Sequence, residues 1–130
     1  MEIKKIIGLV IAASLLMTGC SSQDTTAPKV TKTFPENGAQ NVDPQLATIW
    51  VQFDEPMADK SWAWAFAEKD KFPQLNGDPS YSEDNTKNTL PVKLEPNHEY
   101  DIWINSETLR DFKDKANNPA EPFELKFKTK

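Results

Sequence analysis

Between residues 30 and 127 apolar side chains recur at every second position in short runs, and clusters of Pro, Gly, Asn and Asp separate those runs. Period two puts alternate side chains on opposite faces of a strand, whereas a helix needs apolar residues at spacings of three and four. In Ala47-Thr48-Ile49-Trp50-Val51-Gln52-Phe53, residues Ala47, Ile49, Val51 and Phe53 form a core face and Thr48, Trp50 and Gln52 the other. Leu90/Val92/Leu94, Tyr100/Ile102/Ile104 and Phe123/Leu125/Phe127 repeat the alternation. Val30 to Phe34 reads as a first strand, closed by the turn residues Pro35-Glu36-Asn37-Gly38. Asp54-Glu55-Pro56-Met57 ends the next strand, because proline cannot donate to a ladder. Trp62-Ala63-Trp64-Ala65-Phe66 reads as a third strand with three aromatics on one side. Residues 68 to 88 are polar and irregular, with Tyr81 in a short edge strand. Ten prolines in 130 residues point the same way, to an all-β sandwich of about seven strands.

The N-terminus has a different composition. Lys4 and Lys5 precede an apolar run from Ile6 to Met17, interrupted by Gly8 and Ser14. That is a secretory-signal layout, and twelve residues are too few for the ~20 that a bilayer-spanning helix needs. Thr18-Gly19-Cys20 then presents the single cysteine of the chain, which excludes an internal disulfide. The stretch resembles the bacterial lipoprotein box, with Met17 where leucine is usual. The resemblance implies cleavage before Cys20 and lipidation of its thiol, so residues 1–19 are expected to be a signal peptide. Cys20 and the small polar segment Ser21 to Pro28 are expected to tether the domain 29–130 to a membrane. Ser21, rather than an acid, after the cysteine resembles outer-membrane-directed lipoproteins of two-membrane cells; in a single-membrane cell the anchor would face outward.

Without residues 1–19 the chain loses Glu2, Lys4 and Lys5, leaving 13 basic and 19 acidic residues and a net charge of −6. Nucleic-acid affinity comes largely from basic side chains on phosphates, so such a partner is not expected.

The sequence Leu94-Glu95-Pro96-Asn97-His98-Glu99-Tyr100 has the form of a tyrosine corner, in which the Tyr100 ring is buried and its hydroxyl bonds to backbone across the turn. Together with Pro28-Lys29-Val30, Phe34-Pro35-Glu36-Asn37-Gly38-Ala39, Val51-Gln52-Phe53-Asp54-Glu55-Pro56-Met57, Asn118-Pro119 and Phe127-Lys128-Thr129, this order of motifs resembles bacterial Ig-like domains of S-layer and envelope proteins. The resemblance implies a Greek-key sandwich over residues 28–130 used as a spacer or adhesion module, and it names no chemistry. Asn97 and Asn117 stand where that family often has glycine; asparagine accepts positive φ better than other side chains.

No catalytic residue and no cofactor is expected. His98 is the lone histidine and sits in a polar turn, where it is expected to be exposed. Asp111, Asp114, Asn117 and Asn118 are the best oxygen cluster, but their spacing is not that of a calcium loop and capping of turns is the expected role. The paired carboxylates Asp54-Glu55 and Asp111/Asp114 are expected to be solvated. No metal site is expected either.

The aromatics remain. With Ile102 and Ile104 inward, Trp103 faces outward; Trp50 does so on the opposite sheet. If Trp62 and Trp64 also face out, they join Trp103 in a candidate binding surface; if they face in, Ala63 and Ala65 leave room beneath Trp103. The inward arrangement is favoured, since large aromatics are mostly buried. The leading expectation is a non-catalytic, lipid-anchored envelope protein whose partner is an envelope protein or glycan. A carbohydrate-binding module and a small carboxylate-dependent hydrolase are the alternatives.

Overall fold

The computed structural model describes residues 25–130; Cys20 and the leader lie outside them. Nine strands form two sheets packed face to face. The strands are β1 (Val30–Phe34), β2 (Ala39–Val42), β3 (Thr48–Phe53), β4 (Trp64–Ala65), β5 (Gln74–Leu75), β6 (Ser80–Tyr81), β7 (Lys87–Lys93), β8 (Glu99–Ile104) and β9 (Phe123–Thr129). One sheet runs β1-β3-β7-β5 with β6 also on β7, and the other runs β2-β9-β8-β4. The first predicted strand forms over its expected residues as β1, while β2 is a further strand without a periodic signal, placed on the other sheet because the chain crosses between sheets at the turn from Pro35 to Gly38. β1 pairs antiparallel with β3, and β2 pairs parallel with β9.

Alternation predicts burial well in the long strands. Ile49, Val51, Phe53, Leu90, Val92, Ile102, Ile104, Leu125 and Phe127 fill the space between the sheets. Ala47 departs from expectation: it precedes β3 and is exposed. Tyr100 is buried against Phe127, with ring centroids 5.2 Å apart, and its hydroxyl accepts the Glu95 N–H at 2.8 Å. Asn97 and Asn117 both have positive φ, 51° and 70°.

Residues 67 to 88, irregular in sequence, wrap the outer edge of β7. The edge is split into two short strands by Pro91, whose ring nitrogen can donate nothing to a neighbour. Its carbonyl accepts the Asn76 N–H at 3.0 Å, and Gly77 packs so close that a Cβ there would lie 3.2 Å from the proline ring. Tyr81 in β6 faces inward and its hydroxyl donates to the Ser61 carbonyl.

Burial disfavours the phenolate at both tyrosines of the chain. It pushes Tyr81 up to about 12, against the Ser61 hydrogen bond and with the help of Asp59, and it raises Tyr100 as well. Since the folded state holds these protons more tightly than the unfolded chain, their contribution to stability is intact below pH 10 and is lost as pH climbs through the folded values. A spectrophotometric titration of the native protein should show almost no Tyr81 ionisation at pH 10, where a free tyrosine is half ionised. A half-ionised pair at that pH would show that the two hydroxyls are solvated.

Candidate functional site

The aromatic residues come first, since the sequence left their orientation open. Only Trp64–Ala65 of the predicted third strand pairs, with Trp64 opposite Ile104 and Ala65 opposite Trp103. Directly opposed residues share a face of the sheet, so Trp64 faces the core beside Ile104 and Trp103 faces outward over buried Ala65. The Trp64 Nε1–H donates to Oδ1 of fully buried Asn88 at 2.8 Å, joining the two sheets. Its ring meets Phe112 edge-on at 5.6 Å. Trp62 lies against the Tyr81 ring at 6.1 Å, and Phe66, exposed, leans on Phe72. Trp62, Trp64 and Trp103 are therefore not brought onto one face. The strand is too short for its aromatics to act as a row, and Trp64 gains more by reaching Asn88.

Trp103 instead belongs to a polar ladder on the outer face of the β2-β9-β8-β4 sheet. Across β8 and β9, Trp103 opposes Glu124, Asp101 opposes Lys126 and Glu99 opposes Lys128. A trough of about 320 Å³ lies over the last two pairs, walled by Gly38 and Gln40 of the β2 edge and by Lys71. Lys71 ends a single 3₁₀ turn, Lys69–Lys71. That turn is latched by His98, whose Nε2 lies 2.7 Å from the Asp70 carbonyl and whose ring packs on Tyr100 at 4.6 Å. His98 is accordingly half-buried, not the exposed turn residue that the sequence implies.

The electrostatics of this face are uneven. Partial burial, followed by hydrogen bonding and repulsion from Asp101, raises the Glu124 carboxyl above the usual range, while Lys126 pulls it down. Lys126 Nζ is 3.9 Å from Glu124 Oε2. Asp101 Oδ1 is shielded from solvent and no donor is bonded to it.

A second surface lies on the other sheet. Trp50 stacks with Phe34 at 6.0 Å, and Lys87 Nζ stands 4.2 Å from its ring centroid. Beside them Pro35, Ala39, Val42 and Leu46 line an apolar hollow of about 520 Å³. Strand parity predicts the outward direction of Trp50 but carries no signal for the hollow, whose lining comes from β1, β2 and the connection before β3.

The oxygen cluster is used internally. Asp114 is buried, and its Oδ1 accepts the N–H groups of Ala116 and Asn118, both at 2.9 Å; Asn118 Nδ2 donates to its Oδ2 at 3.1 Å. Asp111 is exposed. Asp54 Oδ1 accepts the Lys29 N–H at 3.0 Å, and Asp84 accepts from Ser82 and Thr86. Among the described residues no three His, Cys, Asp or Glu side chains converge as metal ligands would.

Sequence reasoning missed Asn105 and Phe112, which organise the connection between β8 and β9. Phe112 is fully buried against Phe53 at 5.3 Å. Asn105, also fully buried with φ 62°, donates to the carbonyls of Phe112 and Ala120 and accepts the Phe112 N–H. Neither lies in a periodic run.

Comparison with curated proteins returns no match. Among solved structures the fold is similar to the crystal structure of the S-layer protein rSbsC(31-844), with 16% identity over 79% of this chain and a TM-score of 0.50. The chain spans 14% of the length of that protein. A structure of surface layer protein SbsC, domains 1-6, is also similar, at 17% identity over 80% of this chain and 14% of that one, with a TM-score of 0.46. The sandwich topology, the tyrosine corner and a match of residues 24–129 to the bacterial Ig-like domain model agree, and the chain belongs to that family.

Proposed function

We propose that this chain is a non-catalytic cell-envelope lipoprotein: Cys20 carries the lipid, and the Ig-like domain serves as a binding, adhesion or spacer module held off the membrane. The observation that carries this reading is the placement of the chain ends on the sandwich. The backbone enters at Lys29, which exchanges hydrogen bonds with Asp54 at the end of β3. It leaves at the opposite end, where Lys130 donates to the Val42 carbonyl and accepts the Asn97 N–H. An anchor at Cys20 therefore pulls on one pole through the polar segment of eight residues Ser21 to Pro28 and leaves both outer faces accessible. Stable attachment needs more than one acyl chain, because each buried methylene adds only ~0.8 kcal/mol. The lipoprotein-box resemblance implies such a multiply acylated cysteine, on the outer membrane or on the outer face of the cytoplasmic membrane according to the cell.

Cys20→Ser is expected to leave the leader uncut, abolish incorporation of labelled palmitate and redistribute the protein. Normal processing and labelling of that variant would refute the anchor. The module reading supposes no chemistry at the carboxylates, in keeping with Asp54, Asp84 and Asp114 each accepting hydrogen bonds from nearby backbone.

A further inference from the structure

We infer that Asn76 is a site of spontaneous deamidation, in which water displaces the side-chain ammonia, and that its conversion releases the β5 edge from β7. The inference is independent of the module reading above.

The chain contains two Asn-Gly pairs, Asn37-Gly38 and Asn76-Gly77. Each brings together the groups that the reaction needs: a side-chain amide carbon and, one residue on, a backbone nitrogen that no Cβ shields. The glycine nitrogen loses its proton and forms a bond to Cγ of the asparagine, the Cγ–Nδ2 bond breaks, and the amide leaves as ammonia. Water then opens the five-membered imide at either carbonyl, giving aspartate or its isoaspartyl isomer, with no change of oxidation state. Both asparagines and both glycines are exposed, so water reaches the two pairs alike.

Hydrogen bonding separates them. At the first pair both reacting groups are held by one residue of β9: the Gly38 N–H donates to the Lys126 carbonyl at 2.6 Å, and Asn37 Oδ1 accepts the Lys126 N–H at 2.8 Å. Attack there requires both bonds to break and leaves the Lys126 groups unpaired. At the second pair, among the described residues, no acceptor is bonded to the Gly77 N–H and no group is bonded to the Asn76 side chain. The Asn76 N–H donates to the Pro91 carbonyl at 3.0 Å, which leaves the side chain and the following amide free to meet. Because a protein hydrogen bond is worth a factor of roughly 2–12 in an equilibrium, two of them should slow Asn37 about tenfold relative to Asn76.

The product matters at this position. β5 is only two residues long, and its hold on β7 is continued past Leu75 by the Asn76 N–H on Pro91 and by the packing of Gly77 on the Pro91 ring. An isoaspartyl linkage adds one methylene to the main chain between the Asn76 Cα and the Gly77 nitrogen, so these two contacts cannot both be kept in the present register. Deamidation also adds a negative charge, by which converted molecules can be separated.

For the test, the full-length protein, held in detergent, is aged in heavy-oxygen water at mildly alkaline pH, with and without urea, then digested and mapped by mass spectrometry. In the folded protein the Asn76 peptide is expected to convert about tenfold faster than the Asn37 peptide, with one heavy oxygen in the new carboxylate. In urea that preference should shrink severalfold. The inference is overturned if folded Asn76 converts no faster than Asn37, or if the ratio is the same in urea, which would assign the difference to neighbouring residues. Asn76→Gln, with a side chain one methylene longer, should suppress conversion of its peptide and leave Asn37 unchanged; persistence of the conversion places the reaction at another residue and overturns the assignment. Converted molecules, isolated by anion exchange, should exchange the amide hydrogens of residues 74–76 severalfold faster than unaged protein. Equal exchange overturns the release of β5.

Discussion

Asn105→Ala is expected to destabilise the domain by about 4 kcal/mol, with loss of one or two of the 5–15 kcal/mol reserves typical of a single domain already a large change. The side chain of Asn105 satisfies the Phe112 N–H and the Ala120 carbonyl, at 2.9 and 2.8 Å, inside the connection between β8 and β9. The Phe112 carbonyl keeps a second partner, the Ala120 N–H at 2.8 Å. Alanine would therefore orphan two buried backbone groups, at ~1–3 kcal/mol each. It would also place a Cβ-bearing residue with no local hydrogen bond at φ 62°, adding ~1 kcal/mol or more. Asn105→Gly separates these causes, because it removes the same hydrogen bonds and relieves the backbone; it should be milder than alanine by ~1 kcal/mol. Equilibrium denaturation of the three proteins measures both differences. A loss under 1 kcal/mol for alanine would mean that water replaces the amide and that the connection is not held from within.

Phe112→Ala should be of similar size, about 4 kcal/mol, since truncating a fully buried phenylalanine typically costs 3–5 kcal/mol. The ring closes one end of the sandwich by packing on Phe53 from one sheet and Trp64 from the other, at 5.3 and 5.6 Å. Phe112→Leu should recover much of the loss by keeping the volume, but not the ring–ring contribution of ~0.5–1.5 kcal/mol per pair. A double-mutant cycle between Phe112 and Phe53 reads that contribution directly, and a coupling near zero would show that the pair is mere space-filling. Because Asn105 positions the backbone that carries Phe112, the two alanine variants should be non-additive when combined.

The contrast between these two residues and the long strands shows what one sequence can reveal. β3, β7, β8 and β9 were legible because each buries one face, and a strand with one buried face must alternate. The outward direction of Trp103 followed from the same parity, and the Tyr100 corner from a proline turn entering a strand. Asn97 and Asn117 at positive φ were legible from residue type alone, since that conformation is a local property.

What alternation cannot carry is the choice between two faces that are equally periodic, or any contact between segments without a period. Trp62-Ala63-Trp64 alternates identically whether its tryptophans point in or out, and only Asn88 on the opposite sheet, accepting the Trp64 N–H, fixed the direction. The predicted start of β3 at Ala47 failed for a related reason: alternation continues past the point where a covering partner ends. Asn105 and Phe112 sit in an aperiodic connection, so their burial depends on what the two sheets leave open between them. The trough beside Asp101 needs the register of β8 on β9, the β2 edge with Gln40, and the latched turn with Lys71. Sequence determined which residues are strands and which side of each strand is apolar, because those follow from local geometry and burial. Tertiary structure decided the site, because a site is made by distances between segments that the chain order does not contain.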